Sequence, residues 1–227
     1  MANVNKINGF TPAGYLSGAA YTGAARMYAI PTTDTTASYA IGDVVQSAGS
    51  ADANGVMFVK KVPAASASSA IVLGVVVGVS VADASVSLVA ASLDLTQTYI
   101  LAGTRTAVRY VYVADDPNLL FECSVGSGGM VLTSAGKNFG LASFYTGADQ
   151  TYAIDQSAYL APASPYSNVV LANVNTTNTL PVRALGIRQT TDNTITATAA
   201  AGAYARVLCR FNNHEFGNAT GTNFTSV

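Results

Sequence analysis

YVYVADDPNLLFE, residues 110–122, decides how this chain is read. Apolar and polar residues alternate up to Ala114, break at two acids and a proline, then alternate again. Adjacent carboxylates suggest a metal site or an acid–base pair. Asp115-Asp116-Pro117-Asn118 also has the chemistry of a tight turn. Asp side chains accept bonds from nearby backbone N–H groups, Pro fixes φ, and Asn tolerates left-handed geometry. Neighbouring residues on a strand point to opposite faces, so Asp115 and Asp116 would not face one substrate from there. They also lack the spacing of a calcium loop. The stretch is therefore read as strand–turn–strand, with Asp115, Asp116 and Pro117 shaping the turn.

The same pattern extends in both directions. Short β-branched or aromatic runs (RMYAI, IGDVVQ, VMFVKKV, AIVLGVVVGV, SVSLVAASL) are separated by loop-like segments, and Asn54-Gly55 is a turn signal. The run at 70–79 is apolar on both faces and predicts an interior strand, with Gly74 and Gly78 marking bends or close backbone approach. Beyond the turn, Leu119, Phe121, Cys123 and Val125 share one face. Near the C-terminus Ala205, Val207, Cys209 and Phe211 make an apolar face, while Tyr204, Arg206, Leu208 and Arg210 make the other. No stretch keeps a 3.6-residue period over a dozen residues; 134–145 is expected to hold at most a short helix. The expected fold is all-β, a barrel or sandwich body over 26–212.

The ends differ from this body. Residues 1–25 show neither strand nor helix periodicity, yet carry Phe10, Tyr15 and Tyr21 at intervals among glycines. Spaced aromatics point to an extended N-terminal arm that orders on a neighbouring surface rather than to a disordered leader. Residues 213–227 form a polar tail of similar character, with Phe216 and Phe224 as candidate anchors.

Composition narrows the function. The 227 residues are half apolar, yet only 10% are charged, against roughly a quarter in ordinary soluble domains. Such a surface suits a protein that spends its life against other proteins. Net charge is −1 and the longest basic cluster is Lys60-Lys61, so the footprint of a nucleic-acid binder is missing. The apolar run at 70–79 is too short to cross a bilayer. The opening residues lack an apolar secretory core, so the chain is expected to be made and used without export.

Catalytic inventory is sparse. The one histidine, His214, precedes Glu215 like the front of HExxH, but position 218 is Asn. His214 is expected to be a solvated or interface residue. No GxSxG elbow, P-loop or GxGxxG in a strand-to-helix setting occurs. Cys123 and Cys209 read as buried structural thiols; whether they pair is left open by the sequence. No enzyme activity, metal or cofactor is expected.

Several segments, in order along most of the chain, resemble one family. They are MANVNKINGFTPAGYLSGAAYTG at the start, GDVV (42–45), ADANGV (51–56), LGVVVGV (73–79), YVYVADDPNLLFE, LPVRALGIRQTTDN (180–193) and AYARVLCRFNNHEF (203–216). They are similar to the capsid decoration, or cement, proteins of tailed bacteriophages. That resemblance implies a β-rich body on the outer capsid surface, clustered as a homo-oligomer, often a trimer. It would bind the major capsid protein and hold the shell against packaged DNA, with no direct nucleic-acid or membrane contact. Phe10, Tyr15, Tyr21 and Phe216 are the expected anchors, and Arg206 and Arg210 the expected partners for acids across a subunit interface. The rival reading is a virion receptor- or glycan-binding β-protein, since Tyr is plentiful; the lack of Trp weighs against it.

Overall fold

The computed structural model describes residues 9–62, 70–80, 99–100, 102–126, 130–143, 169–175, 179–188, 190–193 and 204–217. In chain order the strands are β1 (Thr11–Tyr15), β2 (Arg26–Ile30), β3 (Tyr39–Ala40), β4 (Val44–Ala51), β5 (Met57–Lys61), β6 (Gly74–Ser80) and β7 (Tyr99–Ile100). There follow β8 (Arg109–Ala114), β9 (Leu119–Ser124), β10 (Asn138–Ser143), β11 (Val169–Asn175), β12 (Val182–Ile187) and β13 (Arg206–Phe211). Among the described residues the only helical piece is a 3-10 turn at Leu132–Ser134. The all-β expectation holds, and it takes the form of two packed units plus the small β3–β7 pair.

The first unit is a closed barrel in the order β2-β5-β4-β6-β8, with β8 pairing back onto β2. Its pairings are antiparallel except β2 with β5. Closure removes exposed strand edges, which are otherwise sites for unwanted pairing. The interior is filled by Ile30, Val45, Val59, Leu73, Val76, Val79, Val111 and Val113. The alternation read up to Ala114 is realised: Val111 and Val113 point in, and Tyr110 lies on the outer face with Ala29. There the Tyr110 hydroxyl donates to Asp52 (2.6 Å), whose other oxygen accepts the N–H groups of Asn54 and Val56 in the Asn54-Gly55 turn.

β6 is the interior strand that its two-sided apolarity predicts, and six of its seven residues are buried. Gly78 sits where the β6–β8 register shifts, and Gly74 marks the close approach. A Cβ there would lie 2.3 Å from the Ala114 carbonyl oxygen and 2.8 Å from Val113 Cγ1. Backbone on the far side cannot swing away. Gly74→Ala is therefore expected to destabilise the fold by about 3 kcal/mol, as overpacking does, read as a lowered urea midpoint; an unchanged midpoint would mean that β6 and β8 can separate freely.

The second unit is a six-stranded sheet, β1-β9-β13-β12-β10-β11, antiparallel throughout. It rolls far enough for β11 to lie against β9. Phe10, Phe121 and Phe211 pack with ring centroids 5.1–6.1 Å apart, joined by Phe139, Met130, Leu119, Val182, Val207 and both cysteines. The apolar faces read at 119–125 and 205–211 are the faces that fill this core.

Two expectations are corrected. Residues 138–143 form β10, between β12 and β11, not part of a short helix; pairing with two strands far away in sequence overrides weak local preference. The N-terminal segment is no separate arm from residue 9 onward. β1 pairs with β9 as an edge of the sheet, and Phe10 is 1% exposed in its core. β1 lacked a strand signature because Pro12 and Gly14 flank a register shift in the ladder. Pro is confined to edge strands such as this one, and Gly marks the bulge. Residues 1–8 lie outside the described residues, as do 81–98, with SVSLVAASL, and 218–227, with Phe224.

Candidate interaction surface

The turn at 115–118 uses its two acids differently. Asp116 stays exposed and accepts the Asn118 N–H on Oδ1 (2.7 Å), while the Leu119 N–H donates to its carbonyl (3.1 Å). Asp115 is buried and accepts the Tyr28 hydroxyl on Oδ2 (2.6 Å), with Arg26 Nη1 3.4 Å from the same oxygen. Burial, then the Asp115 hydrogen bond, pushes the Tyr28 hydroxyl far up from its usual range. The turn reading holds, and Asp115 has a further role in tying β2 to the end of β8. Among the described residues no group of three or more His, Cys, Asp or Glu side chains stands close enough to hold a metal ion.

Residues 213–217 lie in the seam between the two units. The Val72 N–H donates to Asn213 O and the Glu215 N–H to Val72 O, both at 2.8 Å. The Glu215 carboxylate accepts the Ser47 N–H (2.6 Å), and burial raises its pKa. Asn213 Nδ2 donates to Thr179 O (2.7 Å) on the sheet side. His214 is corrected: it is neither solvated nor available to a partner, but 2% exposed. Its Nδ1 accepts the Phe216 N–H (3.1 Å), which places the neutral ring's proton on Nε2, and Nε2 has no partner among the described residues. Burial lowers its pKa from 6.5 to about 4.

This seam holds Phe216 in the open. Its ring is 45% exposed and carries the Arg26 guanidinium 5.8 Å from its centroid. Leu16, 50% exposed, is fixed beside the turn by donating its N–H to Asn118 O (2.9 Å). Pro117 packs against Gly217, where an added Cβ would meet the Pro117 Cβ at 3.2 Å. Four distant segments thus meet around the turn at 115–118, and they carry exposed Leu16, Arg26 and Phe216 and the exposed Asp116. Aromatic and arginine side chains of this kind are enriched in protein interfaces.

The other candidate residues are placed differently. Phe10 is in the core. Tyr15 and Tyr21 pack on each other (6.4 Å) and half-buried against the six-stranded unit, and the Tyr21 hydroxyl donates to Ala24 O. They secure the N-terminal segment to its own chain. Arg206 already has acids within the chain: Asp192 at 2.6 Å and Glu122 at 3.6 Å. Arg210 has no ion pair among the described residues and stands opposite Arg183 across the β12–β13 ladder. Leu16, Arg26, Arg183 and Leu185 were not singled out from the sequence; only their register and neighbours make them notable.

Remaining polar clusters are structural. Asp43 and Lys61 form a buried pair (2.9 Å) at the barrel's end, where Asp43 also accepts the Ala40 N–H, and Tyr39 donates to Asp34. Cys123 and Cys209 are buried thiols not joined in a disulfide, diagonal neighbours on paired strands. Burial, then the proximity of Cys123 and Glu122, pushes the Cys209 thiol well up and away from reactivity.

Fold and surface define a nearly all-β protein in which a closed barrel and a rolled sheet are clasped by residues 213–217. Comparison with protein-family models, curated proteins and solved structures returns no match.

Proposed function

We propose that this chain is a structural virion protein of the capsid-decoration class. It sits on the outer surface of a phage head, bridges neighbouring major capsid protein subunits and stabilises the shell against internal DNA pressure. It acts as a homo-oligomer, a trimer by the resemblance of its sequence segments, and needs no cofactor. The observation that carries this reading is the exposed Phe216–Arg26 stack, an aromatic and cationic pair on a chain otherwise poor in charge. Repeated weak contacts of this kind become avid when several copies bridge a regular lattice.

The test is to add purified protein to shells lacking it and to image where copies bind. Full coverage of the shell is expected. Phe216→Ala should bind about tenfold more weakly, as for loss of an aromatic interface residue worth about 1.4 kcal/mol. Copies confined to the tail, or saturable binding of a glycan by the isolated protein, would replace this reading with receptor or glycan recognition.

A further inference from the structure

The outward face of the six-stranded sheet carries an arrangement that the chain itself leaves incomplete. In the β12–β13 ladder Val182 pairs with Phe211, Arg183 with Arg210 and Ala184 with Cys209. Val182, Ala184, Cys209 and Phe211 all face the core. Arg183 and Arg210 therefore stand side by side on the opposite face, in directly facing positions. Like charges so placed destabilise a sheet.

Among the described residues neither Arg183 nor Arg210 has an ion pair to offset this repulsion. The two carboxylates on this face are already engaged: Glu122 by Arg188 (3.3 Å) and Arg206 (3.6 Å), and Asp192 by Arg206 (2.6 Å). Arg210 Nε is buried and has no hydrogen-bond acceptor among the described residues. The face thus gathers four of the chain's seven arginines against two acids. Among them stand half-buried Leu120 and Leu208 and the exposed Leu185.

We propose that this face docks an acidic strip of a partner protein, with a carboxylate held between Arg183 and Arg210 and apolar side chains on Leu120, Leu185 and Leu208. The planar guanidinium fork matches a carboxylate with two parallel hydrogen bonds, which a lysine cannot reproduce. A strand of nucleic acid is the poorer fit, because leucines stand where stacking on bases needs aromatic rings. The proposal deepens the assembly reading by naming a surface and its partner's chemistry, and it rests on that reading only for who the partner is.

The experiment uses the full chain with an immobilised peptide of alternating glutamate and leucine, a lysine–leucine peptide and a single-stranded oligonucleotide as controls. The acidic peptide is expected to bind, and to be released by salt. Arg183→Gln should weaken binding about tenfold, as loss of a charged bidentate contact does, and Arg183→Lys should not restore it. The same Arg183→Gln should raise the melting temperature of the free protein by about 1–3 °C, because it removes a like-charge pair; a purely structural arginine would give a loss. Absence of peptide binding, binding unchanged in Arg183→Gln, a lowered melting temperature, tighter binding of the oligonucleotide, or self-association through this face each overturns the proposal. Peptide binding without attachment to shells would overturn the capsid reading and leave this inference standing; attachment to shells that ignores Arg183→Gln, without peptide binding, would do the reverse.

Discussion

Replacing Phe10 with alanine is expected to destabilise the folded chain by about 3–5 kcal/mol, the cost of emptying a buried aromatic site. For a chain of this size that corresponds to a melting temperature lower by about 10 °C. Phe10 is 1% exposed, with its ring 6.1 Å from Phe121 and 5.2 Å from Phe211. Its N–H donates to Gly42 O (3.0 Å), on the loop that enters β4 of the barrel. Removing the ring therefore opens a hole where the sheet's central strands β9 and β13 meet the N-terminal segment, close to where that segment touches the barrel. Neighbouring phenylalanines cannot collapse into the space without leaving their own partners. The measurement is thermal or urea unfolding of the isolated protein. An anchor reserved for a neighbouring molecule would give the opposite pattern: unchanged stability of the free chain and weakened attachment to its partner.

That contrast shows why part of the molecule was legible in the sequence and part was not. The strand–turn–strand at 110–122, the interior strand β6 and the two-faced β13 announced themselves because strand period and turn chemistry are local properties. Phe10 did not, because its core is assembled from strands more than a hundred residues away, and β1 hides its alternation behind Pro12 and Gly14. The segment at 138–143 gave the same difficulty: Asn138 and Phe139 pair with Arg183 and Val182, and no local pattern foretells such partners. The interface residues divide along the same line. Phe216 is exposed, as its place in a polar tail suggested. Arg206 looked available on its strand face, but its carboxylates come from β9 and from the loop at 190–193. Arg183 was unremarkable until the register set it against Arg210.

His214 provides the second large effect, through pH. In the folded chain burial lowers its pKa from 6.5 to about 4, Arg210 adds to the lowering, and Asp115 and Asp116 oppose it. The unfolded chain binds the proton near pH 6.5 and the folded chain only near pH 4. Above pH 6.5 the ring is neutral in both states and stability is undiminished. As pH falls from 6.5 towards 4 the unfolded state gains the proton first, so stability declines. A shift of this size corresponds to about 3 kcal/mol by the bottom of the window. Glu215 works against this: its raised pKa makes the folded state take up a proton more readily as pH falls. The histidine effect is expected to dominate, because protonation also removes the Nδ1 lone pair that accepts the Phe216 N–H of this buried residue. The urea midpoint should therefore fall between pH 6.5 and 4. His214→Asn, whose side-chain oxygen can take the place of Nδ1, should flatten that slope and leave the Glu215 contribution behind. An equal slope in both proteins would mean that the clasp of residues 213–217 opens without reference to His214. A slope abolished or reversed in the variant would assign acid release of the clasp, and with it the displacement of Phe216 from Arg26, to this one ring.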